Sequence, residues 1–139
     1  MIIRNNNLSM SLIKMNIIQA KQSIRYFDNT IFKNIKNSAS YEIQQACEKL
    51  IKIQIYNSGV SLNYYNLYTH NLTRLYEYGL NLGIDVYIPR VILSNLDKIS
   101  SWEAGSRYDI HFSIRIDILK KYLKESEDWY DYLYKQGYR

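Results

Sequence analysis

From Ile43 to Ile53, the apolar residues Ile43, Ala46, Cys47, Leu50, Ile51 and Ile53 form a stripe whose members fall mostly three and four positions apart. With 3.6 residues per turn, that spacing gathers them on one side of an α-helix and does not fit the strict alternation of a half-buried strand. The stripe is wide, so other elements must cover it. Glu42, Gln44, Gln45, Glu48, Lys49 and Lys52 occupy the rest of the surface, with Glu48 and Lys52 as a favourable i,i+4 pair. Ser38 or Ser40 suits the cap, Glu42 the first turn, and Asn57-Ser58-Gly59 the end of this helix.

The same period recurs along the chain. Ile13, Ile17, Ala20, Ile24 and Phe27 predict a helix from about Ser9 to Tyr26, closed by Asp28-Asn29-Thr30. A polar connection to Asn37 follows, with Ile31, Phe32 and Ile35 as anchors. After the second helix, Val60 to Tyr68 reads as a loop rich in Asn and Tyr. Thr69 suits an N-cap for a third helix with Leu72, Leu75, Gly79 and Leu82 on one side and Gly83 as terminator. Ile88-Pro89 marks a fourth start, because Pro fits a first helical turn, and Ile92, Leu96 and Ile99 carry that helix to Trp102 or beyond. A last helix from about Phe112 to Lys135 turns Ile116, Leu119, Leu123, Tyr130 and Leu133 inward. Its acidic Glu125, Glu127, Asp128 and Asp131 oppose the helix dipole, so fraying is expected at its C-terminal end.

These segments predict an all-α fold: an antiparallel bundle of about five helices around a four-helix up-and-down core. With 139 residues the chain is sized for a single domain, residues 1–139 with a core over about 9–135. One Pro and five Gly are too few for the tight turns of a β-sandwich. The lone Cys47 excludes a disulfide framework and a thiolate metal cluster, and its apolar neighbours predict a buried, inert thiol. The two histidines, His70 and His111, have no metal-ligand pattern around them, and no cofactor is expected. No apolar run approaches the ~20 residues of a membrane span. The opening Met1-Ile2-Ile3-Arg4 also lacks the long apolar stretch of a signal peptide, so a reducing cytoplasm is the expected compartment. The net charge of +5 favours polyanions but is not gathered into a basic block. Fifteen tyrosines could supply a base-stacking surface, yet with Ile, Asn and Lys they are also what AT-rich codons produce.

Three segments, in order, resemble the HEPN family of small helical domains. Gln44-Gln45-Ala46-Cys47-Glu48-Lys49-Leu50-Ile51-Lys52 is similar to the family's second-helix pattern, Thr69-His70-Asn71-Leu72 to the opening of its third helix, and Ser106-Arg107-Tyr108-Asp109 to the element closing its fourth. The resemblance implies a helical bundle that forms a symmetric homodimer. It also implies one of several roles: a metal-independent endoribonuclease, a nucleotide or RNA binder, or the partner of a minimal nucleotidyltransferase in a toxin–antitoxin or defence module. The ribonuclease members carry an arginine and a histidine separated by four to six residues. Here three residues, Tyr108, Asp109 and Ile110, lie between Arg107 and His111.

RNA cleavage through the 2′-OH requires proton transfers, which suit a histidine, and a stabilised phosphorane, which suits an arginine with its permanent charge and planar donor fork. Arg107 and His111 are therefore the candidate catalytic pair, and Arg107, Tyr108, Asp109 and His70 the candidate ligand-binding residues. On one continuous helix, residues four apart face the same way. If Asp109 caps a new helix instead, Arg107 and His111 lie on either side of a bend. Arg107 could equally bridge Glu103 one turn earlier, with Trp102 and Tyr108 serving the core or a dimer contact. The functional expectation is a homodimeric nucleotide- or RNA-binding or interaction module. The endoribonuclease and a structural helical protein without a ligand are its alternatives.

Overall fold

The first predicted helix forms and buries the predicted face. In α1 (Met10–Asp28), Ile13, Ile17, Ala20 and Ile24 are buried together with Met10. Ser9 Oγ accepts a hydrogen bond from the N–H of Leu12 at 3.3 Å, satisfying one of the donors left open at the helix start. The computed structural model describes residues 8–28, 34–35, 38–108 and 114–139, leaving aside the side chains of 27–28, 34–35 and 107–108. Among these residues the chain is an all-α bundle with a single contiguous core. The expected anchors Ile31 and Phe32, and the side chains of the third anchor Ile35 and of Phe27 on the first helical face, lie outside the described residues.

Five helices of ten or more residues carry the fold: α1, α2 (Ser38–Tyr56), α4 (Leu72–Asn81), α6 (Leu96–Tyr108) and α7 (Ile116–Lys135). Two single turns, α3 (Tyr64–Leu67) and α5 (Arg90–Leu93), join them. Hydrogen bonds fix the directions. Asn16 and Ser23 of α1 meet Glu42 and Ser38 of α2, so ascending numbers on one helix face descending numbers on the other. Likewise Met10 meets Arg139 while Lys21 meets Glu127 of α7. On the other side, Gln54 of α2 binds Tyr87 ahead of α5, and Glu48 lies across from Glu103 of α6 with His70 between them. α1 and α6 therefore run one way and α2 and α7 the other, giving the expected up-and-down core.

At one end of the bundle, β1 (Asn34–Ile35) pairs antiparallel with β2 (Ile114–Arg115), in the register Asn34↔Arg115 and Ile35↔Ile114. The chain entering α2 is thus stitched to the chain entering α7. Hydrophobic periodicity carries no signal for a ladder this short.

Several boundaries differ from the sequence reading for local reasons. Ser38 is already the first residue of α2, with its hydroxyl 2.8 Å from that of Ser23, while Ser40 lies buried within the helix. Glu42 lies beyond the first turn and accepts from Asn16 Nδ2 at 2.6 Å. The N-cap of α4 is Asn71, not Thr69: its side chain accepts from Arg74 N–H, and Thr69 Oγ1 instead braces Asn71 N–H at 3.1 Å. The supposed loop from Val60 to Tyr68 contains α3, capped by Asn63. The fourth helix begins as predicted after Pro89 but is interrupted at Ser94-Asn95, whose side chains bond the carbonyls of Arg90 and Val91. α7 starts at Ile116 with Arg115 at its N-cap, so Asp109 does not cap it.

In α7 the residue that turns inward is Trp129, not Tyr130, which stays half-buried. The buried sequence Leu119, Tyr122, Leu123, Ser126, Trp129 and Leu133 keeps the helical period that Trp129 satisfies better. α7 is helical through Lys135, and several contacts hold its C-terminal end. Arg139 Nη1 donates to the carbonyls of Tyr134 and Tyr138, its guanidinium lies 3.9 Å from the Tyr134 ring centroid, and Met10 N–H donates to the Arg139 carbonyl. That cation opposes the acidic residues at the negative end of the helix dipole. No helix among the described residues is long and apolar enough to cross a membrane.

Cys47 is fully buried, 3.7 Å from the Ser126 hydroxyl, and burial pushes its thiol up to about 12. Since the thiolate is the reactive form, we predict that Cys47 resists thiol-specific alkylation in the native protein and reacts fully once unfolded in denaturant. Rapid labelling of folded protein would contradict that burial.

Gly79 marks the closest approach of α4 to its neighbours, because a Cβ there would lie 2.9 Å from Val86 Cγ2 and 3.7 Å from Ile55. Gly79→Ala is expected to destabilise the fold by about 1 kcal/mol in urea titrations, since overpacking outweighs the gain in helix propensity. A stabilised variant would mean that Val86 yields without cost.

Candidate functional site

Of the residues singled out above, Arg107 and Tyr108 belong by their backbone to the last turn of α6, at the same end of the bundle as the β1–β2 ladder. Asp109 and His111, and with them the question of how Arg107 and His111 are placed relative to each other, lie outside the described residues. His70 is described, and it organises the most polar part of the interior.

His70 sits between two carboxylates from different helices. Its Nδ1 lies 2.9 Å from Glu48 Oε1 of α2, and its Nε2 lies 3.9 Å from Glu103 Oε1 of α6. Glu48 and Glu103 are both buried, whereas the His70 side chain is 57% exposed. The ring therefore acts as a lid over two carboxyl groups. Glu48 is otherwise saturated: Oε1 accepts from Gln44 Nε2 at 3.3 Å, and Oε2 accepts from Lys52 Nζ at 3.0 Å. Gln44 also donates to the His70 carbonyl at 2.9 Å, tying the loop before α4 to α2 by backbone as well as side chain.

The apolar stripe of α2 leaves Gln44 and Glu48 on its other side, yet both are buried. The reason is that α2 is packed by α1, α4, α6 and α7 together, so the far side of the helix is covered as well. A polar group in that position is tolerated only when it is hydrogen-bonded. Gln44 and Glu48 meet that requirement through His70 and Lys52. The predicted Glu48–Lys52 pair does form, but it is largely enclosed, at 6% and 17% side-chain exposure.

Chemically, a carboxylate beside Nδ1 orients an imidazole and leaves Nε2 to exchange protons with its surroundings. Here Nε2 faces Glu103, and the rim of the surface depression beside it is formed by Thr69, Asn71, Asp97, Ser100 and Ser101. Thr73 Oγ1 donates to Asp97, and Ser100 Oγ accepts from Leu72 N–H at 2.8 Å, so the rim is internally bonded. The described half of this region is rich in carboxylates. Arg107 follows Glu103 by one turn along the backbone of α6, and its side chain lies outside the described residues. Among the described residues no group of His, Cys, Asp and Glu side chains is arranged to hold a metal ion. Trp102 belongs to the core, edge-on to Tyr122 at 5.4 Å between ring centroids.

Three sequence segments thus meet at one place: Gln44, Glu48 and Lys52 from α2, His70 before α4, and Glu103 in the turn preceding Arg107. Glu103 was visible in the sequence only as a carboxylate four positions before Arg107. No protein family, curated protein or solved structure matches the chain.

Glu48→Ala would leave Lys52, Gln44 and His70 without their shared acceptor. A loss of about 2–4 kcal/mol is expected in urea unfolding, with Glu48→Gln retaining part of it. Equal stability of wild type and Glu48→Ala would show that solvent replaces the carboxylate freely.

Proposed function

We propose that the chain is a HEPN-type domain that acts as a homodimer and binds a nucleotide or RNA phosphate through Arg107, next to His70. The observation that supports this reading is the meeting of the first two resembling segments, through Gln44, Glu48 and His70, beside Glu103, one turn before Arg107 of the third. Stretches far apart in sequence, in the order the resemblance requires, contribute interacting side chains or adjoining helical turns to one corner of the bundle.

The physical case follows from charge. Glu48 is neutralised by Lys52 and contacts His70, so it does not project free negative charge toward the end of α6. Arg107 lies beyond it on α6, near the β1–β2 ladder, where two chain connections meet. A guanidinium in that position offers the planar, permanently charged fork that phosphate recognition uses. The homodimer belongs to the same reading, because a symmetric interface would bring a second Arg107 to a shared cleft. A nucleotidyltransferase partner protein, in a toxin–antitoxin or defence module, is the setting the resemblance implies for such a binder.

Binding is tested by fluorescence anisotropy with a labelled nucleotide triphosphate and a short RNA, alongside light scattering at micromolar protein. The expected result is a dimer whose affinity falls about tenfold or more in Arg107→Gln, the loss of one charge-assisted contact. Unchanged affinity in that variant, or a monomer at all concentrations, overturns the proposal. The same RNA incubated in EDTA separates the enzyme from the binder. Cleavage that disappears in His111→Ala selects a metal-independent endoribonuclease using Arg107 and His111.

A further inference from the structure

Three tyrosine rings stand together on the surface at α3. Tyr64, Tyr65 and Tyr68 are 51%, 77% and 85% exposed, and with Arg74 of α4 they line a cavity of about 370 Å³. Scattered exposed aromatics are ordinary, but a group that encloses space in the size range of ligand sites, about 300–1,000 Å³, is not. None of the three hydroxyls bonds to another described residue, and Arg74 forms no ion pair with one.

The platform beneath the rings is fixed. Leu67, in the same turn, is buried in the core. Asn63 caps α3 by accepting from Tyr65 N–H at 2.9 Å, and its own N–H donates to the Tyr78 hydroxyl of α4 at 2.7 Å. The rings are therefore presented by an anchored turn, which reduces the ordering cost of binding.

We infer that Tyr64, Tyr65, Tyr68 and Arg74 form a binding site for single-stranded nucleic acid, with bases stacking on the tyrosine rings and a phosphate pairing with Arg74. Aromatic rings alone would suit a methylated ammonium equally well, but the guanidinium in the same lining repels a cation and selects an anion. Among the described residues the lining contains no carboxylate, and the chain's net charge of +5 draws the same kind of ligand. A flat ring that also carries negative charge nearby is what a nucleotide offers, and only an unpaired strand leaves its base faces free to stack. This extends the nucleic-acid reading above to a second place on the surface and is carried by different residues.

The test uses the full chain and a labelled RNA of about ten nucleotides of mixed sequence, the matching DNA and the RNA duplex, within the range of known single-strand site sizes. Single strands are expected to bind more tightly than the duplex, and comparison of RNA with DNA shows whether the 2′-OH is read. Tyr65→Ala/Tyr68→Ala should weaken single-strand binding about tenfold or more, and Arg74→Gln should flatten the salt dependence by about one phosphate contact. These residues are exposed, so circular dichroism and thermal melting should match wild type. No binding of the single strands at ~0.1 mM protein, where even non-specific sites bind, overturns the inference. So does equal affinity of the tyrosine variant and wild type. If the tyrosine variant loses binding while Arg107→Gln retains it, the platform stands and the phosphate site at α6 falls. The reverse pattern removes the platform and leaves the α6 site.

Discussion

The hydrogen bonding of Glu48 is the constraint on which much of the interior depends. A carboxylate at this depth is admissible only with its acceptor positions filled, and Gln44, Lys52 and His70 fill them from one helix and one loop. That requirement fixes where the segment before α4 must lie, because His70 reaches Glu48 with its ring while its carbonyl receives Gln44. Once that segment is pinned, α4 begins at Leu72, after its N-cap Asn71, and packs on α2 and α6. A polar group inside the bundle thus specifies a geometry that apolar contacts, being non-directional, leave open.

A second consequence is the division of the bundle into two unlike ends. At one end Arg139, Gly137 and Met10 close α7 against α1 by backbone and guanidinium contacts. At the other, the strands β1 and β2 join the entries to α2 and α7, and α6 brings Arg107 to the same region. The tyrosine platform of α3 and the His70 depression draw on neighbouring stretches of chain that adjoin at Tyr68-Thr69. The segment from Asn63 to Arg74 thus contributes to both surface features, with Asp97, Ser100 and Ser101 of α6 completing the depression.

Much of this architecture was legible in the sequence. Ile13, Ile17, Ala20 and Ile24 are inside because their spacing permits no other helical face, and Gly59 and Gly83 close their helices with φ of +77°. Pro89 and Cys47 also behave as their chemistry requires. What remained hidden depends on tertiary neighbours. Gln44 and Glu48 look solvated until α2 is found surrounded, and Trp129 and Tyr130 are indistinguishable as inward residues until the helix is rotated against its neighbours. Of the candidate residues, His70 stood out as such and Glu48 and Lys52 only as a helix pair, while the meeting of Glu48, His70 and Glu103 was not legible. Nothing in local spacing says that a histidine before α4 will bridge carboxylates from α2 and α6.

The β1–β2 ladder couples connections that are remote in sequence through only two residue pairs. A helix such as α2 shares its packing with α1, α4, α6 and α7, whereas in this ladder Ile114 packs against the core and Arg115 faces solvent. The bundle accordingly has a seam at the end where α6 finishes. The two ends of the bundle are therefore closed by different means: one by two pairs of backbone residues, the other by the Arg139 guanidinium and the hydrogen bond from Met10 N–H to the Arg139 carbonyl.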